Sequence, residues 1–240
     1  MFLKRFQAIM PGRPLILGHR GAPQQARENS LESFTAALDG GADGIELDVH
    51  CTSDGVLVAH HDDELPGGEK IAQTAYEELK SRTELHGYEL PQLSDVFALV
   101  AGKGLLNIEL KHDGYEEAVL KLAREMLPAE SYAVSSFSAT AVCMCHKAAP
   151  DVPAFLIVWG ERNGHADLER LQALGAAGIA FEDGYLTPEL VGLFREHNYP
   201  IFLWTVNDAA KAQRYATWGV TGLITDTPRE LVAALDHRQP

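Results

Sequence analysis

The chain contains 240 residues, of which 46% are hydrophobic and 22% are charged, and its formal net charge at pH 7 is −14. This length and composition are typical of a globular protein with a sizeable apolar core, and we predict a single domain over residues 1–240. The strong negative charge disfavours nucleic acid and acidic membrane surfaces as partners.

Short aliphatic and β-branched runs recur along the chain, each followed by a stretch with helical periodicity. Eight such units in this length favour a (β/α)8 TIM barrel, a closed parallel sheet of eight strands, over an open doubly wound sheet. The open sheet remains the alternative, although the Gly-rich dinucleotide loop typical of it is missing after the first strand. A further run, Val56–His60, indicates a short extra strand or hairpin after strand 2. The eight predicted strands are Leu15–Gly18, Gly44–His50, Leu105–Leu110, Tyr132–Ser135, Ala154–Val158, Ile179–Phe181, Ile201–Thr205 and Leu223–Thr225.

Several helix starts are marked by side chains that accept hydrogen bonds from the first turn. Ser30 precedes an apolar stripe that ends at Gly40, and Thr187 opens a later helix in the same way. Thr74 and Glu77 have the spacing of a capping box, which predicts a helix that begins directly after Thr74.

Two predicted strands carry polar side chains that strand alternation places on one face. Glu46 and Asp48 lie two residues apart in the second strand, and Glu109 and Lys111 do so in the next long one. Buried carboxylates require positive partners. The three carboxylates together form an all-oxygen site suited to Mg²⁺ or Ca²⁺. Salt bridges to lysine or arginine inside the barrel are an equally open interpretation.

Two histidines follow predicted strands and stand beside charged neighbours: His19 precedes Arg20, and His61 precedes Asp62. A reference pKa of about 6.5 suits histidine for proton transfer. His60 competes with His61 for this role, because alternation sends the two side chains to opposite faces. The remaining histidines lack such a setting and are interpreted as surface or packing residues: His50, His86, His112, His146, His165, His197 and His237.

Six short motifs follow one another from the first predicted strand to the last. They are His19-Arg20-Gly21, Glu28-Asn29-Ser30, Glu46-Leu47-Asp48, His61-Asp62, Glu109-Leu110-Lys111 and Thr225-Asp226-Thr227-Pro228. No single tripeptide is specific, but the ordered set closely resembles the glycerophosphodiester phosphodiesterase family, in its bacterial cytosolic type.

The resemblance implies a hydrolase that converts small-molecule glycerophosphodiesters to sn-glycerol 3-phosphate and an alcohol such as choline or ethanolamine. It also implies one divalent cation, Mg²⁺ or Ca²⁺. For Trp204, one of the residues that the resemblance implies in the site, packing alone is an equally open role. The implied site residues are His19 and His61 as the acid–base pair, Glu46, Asp48 and Glu109 as metal ligands, and Arg20, Lys111 and Trp204 as residues that bind phosphate or substrate.

The chain departs from the family pattern at two places, of which the first should have little chemical effect and the second bears on substrate selectivity. Arg27 stands where the family usually has proline, and the segment Glu64–Lys70 lacks the usual Arg-Thr-Thr pattern. A phospholipase D-like or cyclising phosphodiesterase that acts on lysolipids is therefore the nearest alternative, and an aromatic loop at the barrel mouth would favour it. A catalytically silent barrel that only binds a ligand is less favoured, because every motif residue is present.

The remaining sequence features indicate a cytoplasmic protein with no stable membrane association. The three cysteines provide no disulfide framework and fit a reducing compartment. The stretch Met1–Phe6 contains basic residues, but no apolar core of signal-peptide length follows it, and no segment is apolar enough to span a bilayer. We expect a monomer or a homodimer.

Overall fold

Short aliphatic runs form nine strands in residues 12–236, the part of the chain that the computed structural model describes. Eight of them are parallel, and most of the predicted bounds are correct to within one residue. The strands are β1 (Leu15–Gly18), β2 (Gly44–Cys51), β3 (Leu57–Ala59), β4 (Leu105–Leu110), β5 (Tyr132–Ser136), β6 (Ala154–Val158), β7 (Gly178–Glu182), β8 (Ile201–Trp204) and β9 (Gly222–Thr225).

The parallel strands close into a ring. Their order is β1-β9-β8-β7-β6-β5-β4-β2, and β2 returns to pair with β1 through Leu17–Gly44 and Gly18–Ile45. The predicted TIM barrel is thus confirmed, and the open doubly wound sheet is wrong. β3 lies outside the ring as an antiparallel partner of the last residues of β2, which is the predicted extra hairpin.

Helices cover the outside of the ring. Ser30 and Thr187 cap the helices that follow them as predicted, by accepting hydrogen bonds from the backbone N–H groups of Ser33 and Leu190. The capping box at Thr74 is wrong, because its hydroxyl donates to the carbonyl of Lys70 and the helix begins two residues later. The helices are α1 (Leu31–Asp39), α2 (Tyr76–Leu85), α3 (Leu93–Val100), α4 (Glu116–Met126), α5 (Ala139–Ala148), α6 (Gly164–Leu174), α7 (Pro188–Glu196), α8 (Ala209–Trp218) and α9 (Pro228–Asp236).

Strand alternation separates an apolar outer layer from a mixed interior. Ile45, Leu47 and Val49 on β2 are fully buried in the core between strands and helices, where each side chain contributes about 1.5–3 kcal/mol. A second cluster that includes Leu17 and Phe202 fills the barrel interior. Interior positions nearer the carboxyl ends of the strands are polar, so the functional groups meet at the mouth.

β3 and the segment that joins it to α3 form a small lobe beside the barrel, over residues 57–92. Leu57 and Ala59 pack into the large barrel cluster, and most other apolar side chains of the lobe form a cluster of their own. The buried members are Val58, Leu65, Ile71, Tyr76, Leu79 and Leu90.

Three predictions reach beyond the described residues, and one of them is the surface or packing role of His237. The stretch Met1–Phe6 lies outside them, and a single domain over residues 1–240 stays a prediction. Within residues 12–236, the helices are all too short to cross a bilayer.

Candidate active site

Three carboxylates converge at the mouth of the barrel, on β2 and β4. Asp48 stands opposite Glu109 in the β2–β4 register, and Glu46 stands two residues earlier on the same face. One oxygen from each lies within 4.8 Å of the others. Glu46 and Asp48 are only 3% and 1% exposed. The predicted ligands therefore lie together in a site that excludes most water.

Two cations compensate part of this negative charge. Nζ of Lys111 lies 3.1 Å from Asp48 Oδ1 and 2.9 Å from Glu109 Oε1. Nε of Arg20 lies 3.2 Å from Asp48 Oδ2, and its terminal nitrogen binds the carboxylate of Glu28 at 3.0 Å. The salt bridges that the sequence left open are thus present at Asp48 and Glu109, in the same site as the converging carboxylates.

Glu46 is the carboxylate that these cations leave incomplete. Its Oε2 accepts the backbone N–H of Arg20 at 3.0 Å, whereas its Oε1 is buried without a hydrogen-bond partner. An uncompensated buried carboxylate oxygen is costly. An all-oxygen group with one unpaired buried acceptor fits a hard divalent cation such as Mg²⁺ or Ca²⁺.

Burial and mutual repulsion shift the pKa values of the three carboxylates in different directions. Burial, and then the charges of Asp48 and Glu109, hold the pKa of Glu46 well above its usual value. Burial and Asp48 likewise raise the pKa of Glu109. Burial opposes ionisation of Asp48 too, but Lys111 and Arg20 prevail and lower its pKa.

These shifts predict how the stability of the metal-free protein depends on pH. The folded state holds protons on Glu46 and Glu109 that the unfolded chain releases above the ordinary pKa of 4.5. Stability is therefore lost as pH rises from 4.5 through the raised pKa values, by up to about 1.4 kcal/mol per pH unit and group. His50 and His60, whose pKa values burial lowers, change stability in the opposite direction as pH rises. The effect of Glu46 is therefore measured in chelator as the Tm of the wild type minus that of Glu46→Gln, a difference that should fall by about 3–5 °C per pH unit.

Glu46→Gln removes one of these groups and should flatten that dependence, whereas Glu169→Gln on the exposed face of α6 should leave it unchanged. A Tm difference between the wild type and Glu46→Gln that stays constant or grows over this pH range in chelator would contradict the assignment.

His19 directly follows β1 and is held in place by residues that follow β9 and β8. Its Nδ1 lies 2.7 Å from Asp226 Oδ1, just beyond β9. Asn207, beyond β8, fixes that carboxylate by donating to Asp226 Oδ2 at 2.7 Å and accepting its backbone N–H at 2.8 Å. The Nδ1 contact leaves Nε2 of His19 available for proton transfer. The sequence placed Asp226 in a motif but assigned it no role.

We expect Asp226→Asn to lower kcat at least about tenfold, with the 10⁴-fold loss known for the orienting aspartate of a serine-protease triad as the upper limit. The amide can also donate to the ring, so Nδ1 is no longer kept as the protonated nitrogen, and kcat should fall while KM changes little. Steady-state kinetics across pH measures both effects.

The matched control is Asp183→Asn, because Asp183 binds Lys211 and Tyr215 at the neighbouring end of β7 and does not contact His19. An Asp226→Asn enzyme with wild-type kcat at every pH would show that the contact has no part in turnover.

His61 occupies a comparable position just after β3. Its Nδ1 lies 2.7 Å from Asp62 Oδ1, and its side chain is 36% exposed. Its charge acts on both Asp48 and Glu109. His60, in contrast, interacts with Arg27 and Glu28, and burial lowers its pKa. The two neighbours thus face different groups, and His61 is the one that acts on the carboxylates of β2 and β4.

The turn after β1 brings its backbone to the carboxylates. Arg20 adopts a left-handed conformation with φ of 53°, which directs its N–H at Glu46. Gly21 follows with φ of 91°, and a Cβ there would lie 2.5 Å from the backbone of Ser33. Asn29 completes the turn by donating to Asp48 Oδ2 at 2.8 Å. The packing of this turn explains why glycine follows His19-Arg20.

Trp204 lies at the end of β8 on the opposite wall of the mouth. Its Nε1 donates to the carbonyl of Ala180 at 3.3 Å, and its ring meets Phe137 edge to face with 5.5 Å between centroids. The indole packs on the interior cluster but remains partly exposed. It can therefore both fill the barrel and contact a ligand.

The departures from the family pattern fall beside this site. Arg27 stacks on Tyr88 of the small lobe, with the guanidinium carbon 3.4 Å from the ring centroid. The two residues help to line a cavity of about 510 Å³. The arginine thus replaces the stiffness of a proline with a contact between the turn and the lobe.

Comparisons with known proteins identify the family. A family model described as the glycerophosphoryl diester phosphodiesterase family matches residues 19–230. A glycerophosphodiester phosphodiesterase of Caldanaerobacter subterraneus is 32% identical over 92% of this chain and 97% of its own. One of Bacillus altitudinis is 30% identical over 90% and 96%. A solved structure of an Oleispira antarctica phosphodiesterase in complex with the product sn-glycerol-3-phosphate superposes with a TM-score of 0.86, at 26% identity over 98% and 99% of the two chains.

Proposed function

Because the chain belongs to the glycerophosphoryl diester phosphodiesterase family and is an enzyme of that class, we propose that it hydrolyses glycerophosphodiesters to sn-glycerol 3-phosphate and an alcohol. The observation that carries the proposal is the convergence of Glu46, Asp48 and Glu109 beside two histidines whose Nδ1 atoms are held by carboxylates.

The carboxylates are proposed to hold one divalent cation, Mg²⁺ or Ca²⁺. Support comes from the all-oxygen donor set and from the buried, unpaired Oε1 of Glu46. The ion, when bound, supplies Lewis-acid polarisation of a phosphoryl oxygen and lowers the pKa of a hydroxyl near it. Lys111 and Arg20 lie in contact with Asp48 and are proposed to bind the phosphate from the same side.

The two histidines are proposed to move the protons. One removes the proton from the glycerol hydroxyl next to the ester as its oxygen attacks phosphorus, and the other protonates the departing alkoxide. Water then opens the cyclic phosphate with the two roles exchanged. Asp226 and Asp62 keep each ring in the tautomer with Nε2 towards the reaction. Each proton transfer contributes about 10²–10⁴-fold to the rate.

An assay of defined substrates tests the function. Glycerophosphocholine and glycerophosphoethanolamine are each incubated with Mg²⁺, Ca²⁺ or chelator, and the products are identified by mass spectrometry. We expect sn-glycerol 3-phosphate and the free alcohol, only with a divalent ion. Free glycerol with a phosphorylated alcohol, or no turnover under any condition, contradicts the proposal.

One observation favours a second candidate, which is hydrolysis of lysolipids by the same residues. Exposed aromatic side chains follow three neighbouring strands on the wall that carries Trp204: Phe137 after β5, Trp159 after β6 and Tyr185 after β7. Trp159 is 72% exposed. Aromatic side chains at the mouth of a barrel can contact an acyl chain. The three side chains lie after β5, β6 and β7 and not in the segment after His61.

The same assay with lysophosphatidylcholine and Trp159→Ala separates the candidates. If lysolipids are substrates, Trp159→Ala raises KM for lysophosphatidylcholine and leaves glycerophosphocholine turnover unchanged. Absence of turnover of lysophosphatidylcholine by the wild-type enzyme removes this candidate.

A further inference from the structure

A second group of potential metal ligands lies beside the candidate active site and shares no residue with it. His50 at the end of β2, Asp63 after β3 and His112 after β4 each offer one ligand atom, and these atoms lie within 4.8 Å of one another. The sequence alone indicated only surface or packing roles for both histidines. Three separate segments meet here because β2 extends past the ring and pairs with β3.

The donor set of this group differs from that of the carboxylates. Two imidazoles and one carboxylate are the ligands of many three-residue Zn²⁺ sites, in which a fourth position stays open. Nitrogen ligands select Zn²⁺ and other transition metals over Mg²⁺ and Ca²⁺, which prefer oxygen. The two groups therefore suit ions of different chemistry.

The geometry around each ligand also suits a metal. His50 is 1% exposed, and its Nε2 lies 3.2 Å from the carbonyl oxygen of His61. A neutral ring that donates one N–H to a carbonyl keeps its other nitrogen unprotonated, and metal-binding histidines are usually oriented in this way. The rings of His50 and His112 have centroids 5.4 Å apart, and His112 Nε2 lies 3.0 Å from Asp63 Oδ1.

We propose that His50, Asp63 and His112 bind a divalent transition metal of the Zn²⁺ type, at a site separate from the carboxylate group. The bound ion joins the segment that carries His61 to the loop after Lys111. A plain ion pair between His112 and Asp63 is the competing explanation, and it requires no metal.

The experiment measures Zn²⁺ binding rather than turnover. The full-length protein is saturated with Mg²⁺ to fill the oxygen site, and Zn²⁺ is then titrated by equilibrium dialysis with elemental analysis. We expect one Zn²⁺ per chain at this site. His112→Ala and Asp63→Asn should each lower the Zn²⁺ affinity at least about tenfold. This is the smallest loss typical for removal of a residue that only orients a metal ligand. Both side chains are largely exposed, so neither substitution disturbs the core.

Two control variants separate this site from other Zn²⁺ binding. His165→Ala replaces an exposed histidine at the start of α6 and should leave the affinity unchanged. Glu46→Gln weakens the oxygen site and should also leave it unchanged, so a failure here is distinguishable from a failure of the proposed function. Equal Zn²⁺ affinity in wild type, His112→Ala and Asp63→Asn, or no saturable binding in the wild type, overturns the proposal.

Discussion

Replacing His19 by alanine is expected to lower kcat by about 10²–10⁴-fold, and replacing His61 should do the same. Each ring lies within 2.7 Å of an aspartate through Nδ1, so each offers Nε2 to a reacting oxygen. Neither ring belongs to the carboxylate group, and so both variants should still bind the divalent ion. Kinetics with glycerophosphocholine and calorimetric titration of Mg²⁺ measure the two properties separately.

The matched control for His61→Ala is His60→Ala. His60 follows the same strand, but the charged groups near it are Asp62, Arg27 and Glu28 rather than the carboxylates of β2 and β4. We expect His60→Ala to retain most activity. Full activity in His61→Ala with none in His60→Ala would transfer the acid–base role to the neighbour, and loss of Mg²⁺ binding in either would show that the ring supports the metal site instead.

Removal of the divalent ion should abolish substrate binding as well as turnover. At a pH above the raised pKa values of Glu46 and Glu109, three ionised carboxylates against Arg20 and Lys111 leave one net negative charge, which repels a phosphodiester monoanion. A divalent ion reverses the sign to one positive charge. Since metal ions contribute several kcal/mol to stabilisation of the transition-state charge, we expect a loss of kcat/KM of about 10³-fold or more in chelator.

Calorimetry with glycerophosphocholine in chelator tests the binding half of this prediction. Readdition of Mg²⁺ or Ca²⁺ alone should restore both affinity and activity, and this recovery excludes damage by the chelator and any requirement for a transition metal. Substrate affinity that persists unchanged without any metal would refute the charge argument.

The parts of the structure that follow from local periodicity could be predicted from the sequence. Alternation placed Glu46 and Asp48 on one face of β2 and the three aliphatic residues between and around them on the other, as the structure has them. The strands are short and fully apolar on one side, and so their bounds differ from the predicted ones by one residue or less at nearly every end.

The parts that depend on contacts between distant segments could not. Asp226 orients His19 from 207 residues away, and no pattern near either residue reveals the partner. His50 and His112 lie close together because β2 continues beyond the residues that pair with β1 and reaches the loops after β3 and β4. The helix start after Thr74 was wrong for a local reason, because a preceding 3-10 turn already uses the threonine hydroxyl.

The small lobe over residues 57–92 and the barrel contribute different groups to the candidate active site. The ring closes through the pairing of β1 with β2, which involves no residue of the lobe. Most apolar side chains of the lobe form a cluster of their own. His61 lies in the first segment of the lobe, whereas Glu46, Asp48 and Glu109 lie on strands of the ring. A change in the length of the lobe can therefore alter the surroundings of His61 and leave the strand pairs that close the ring in place.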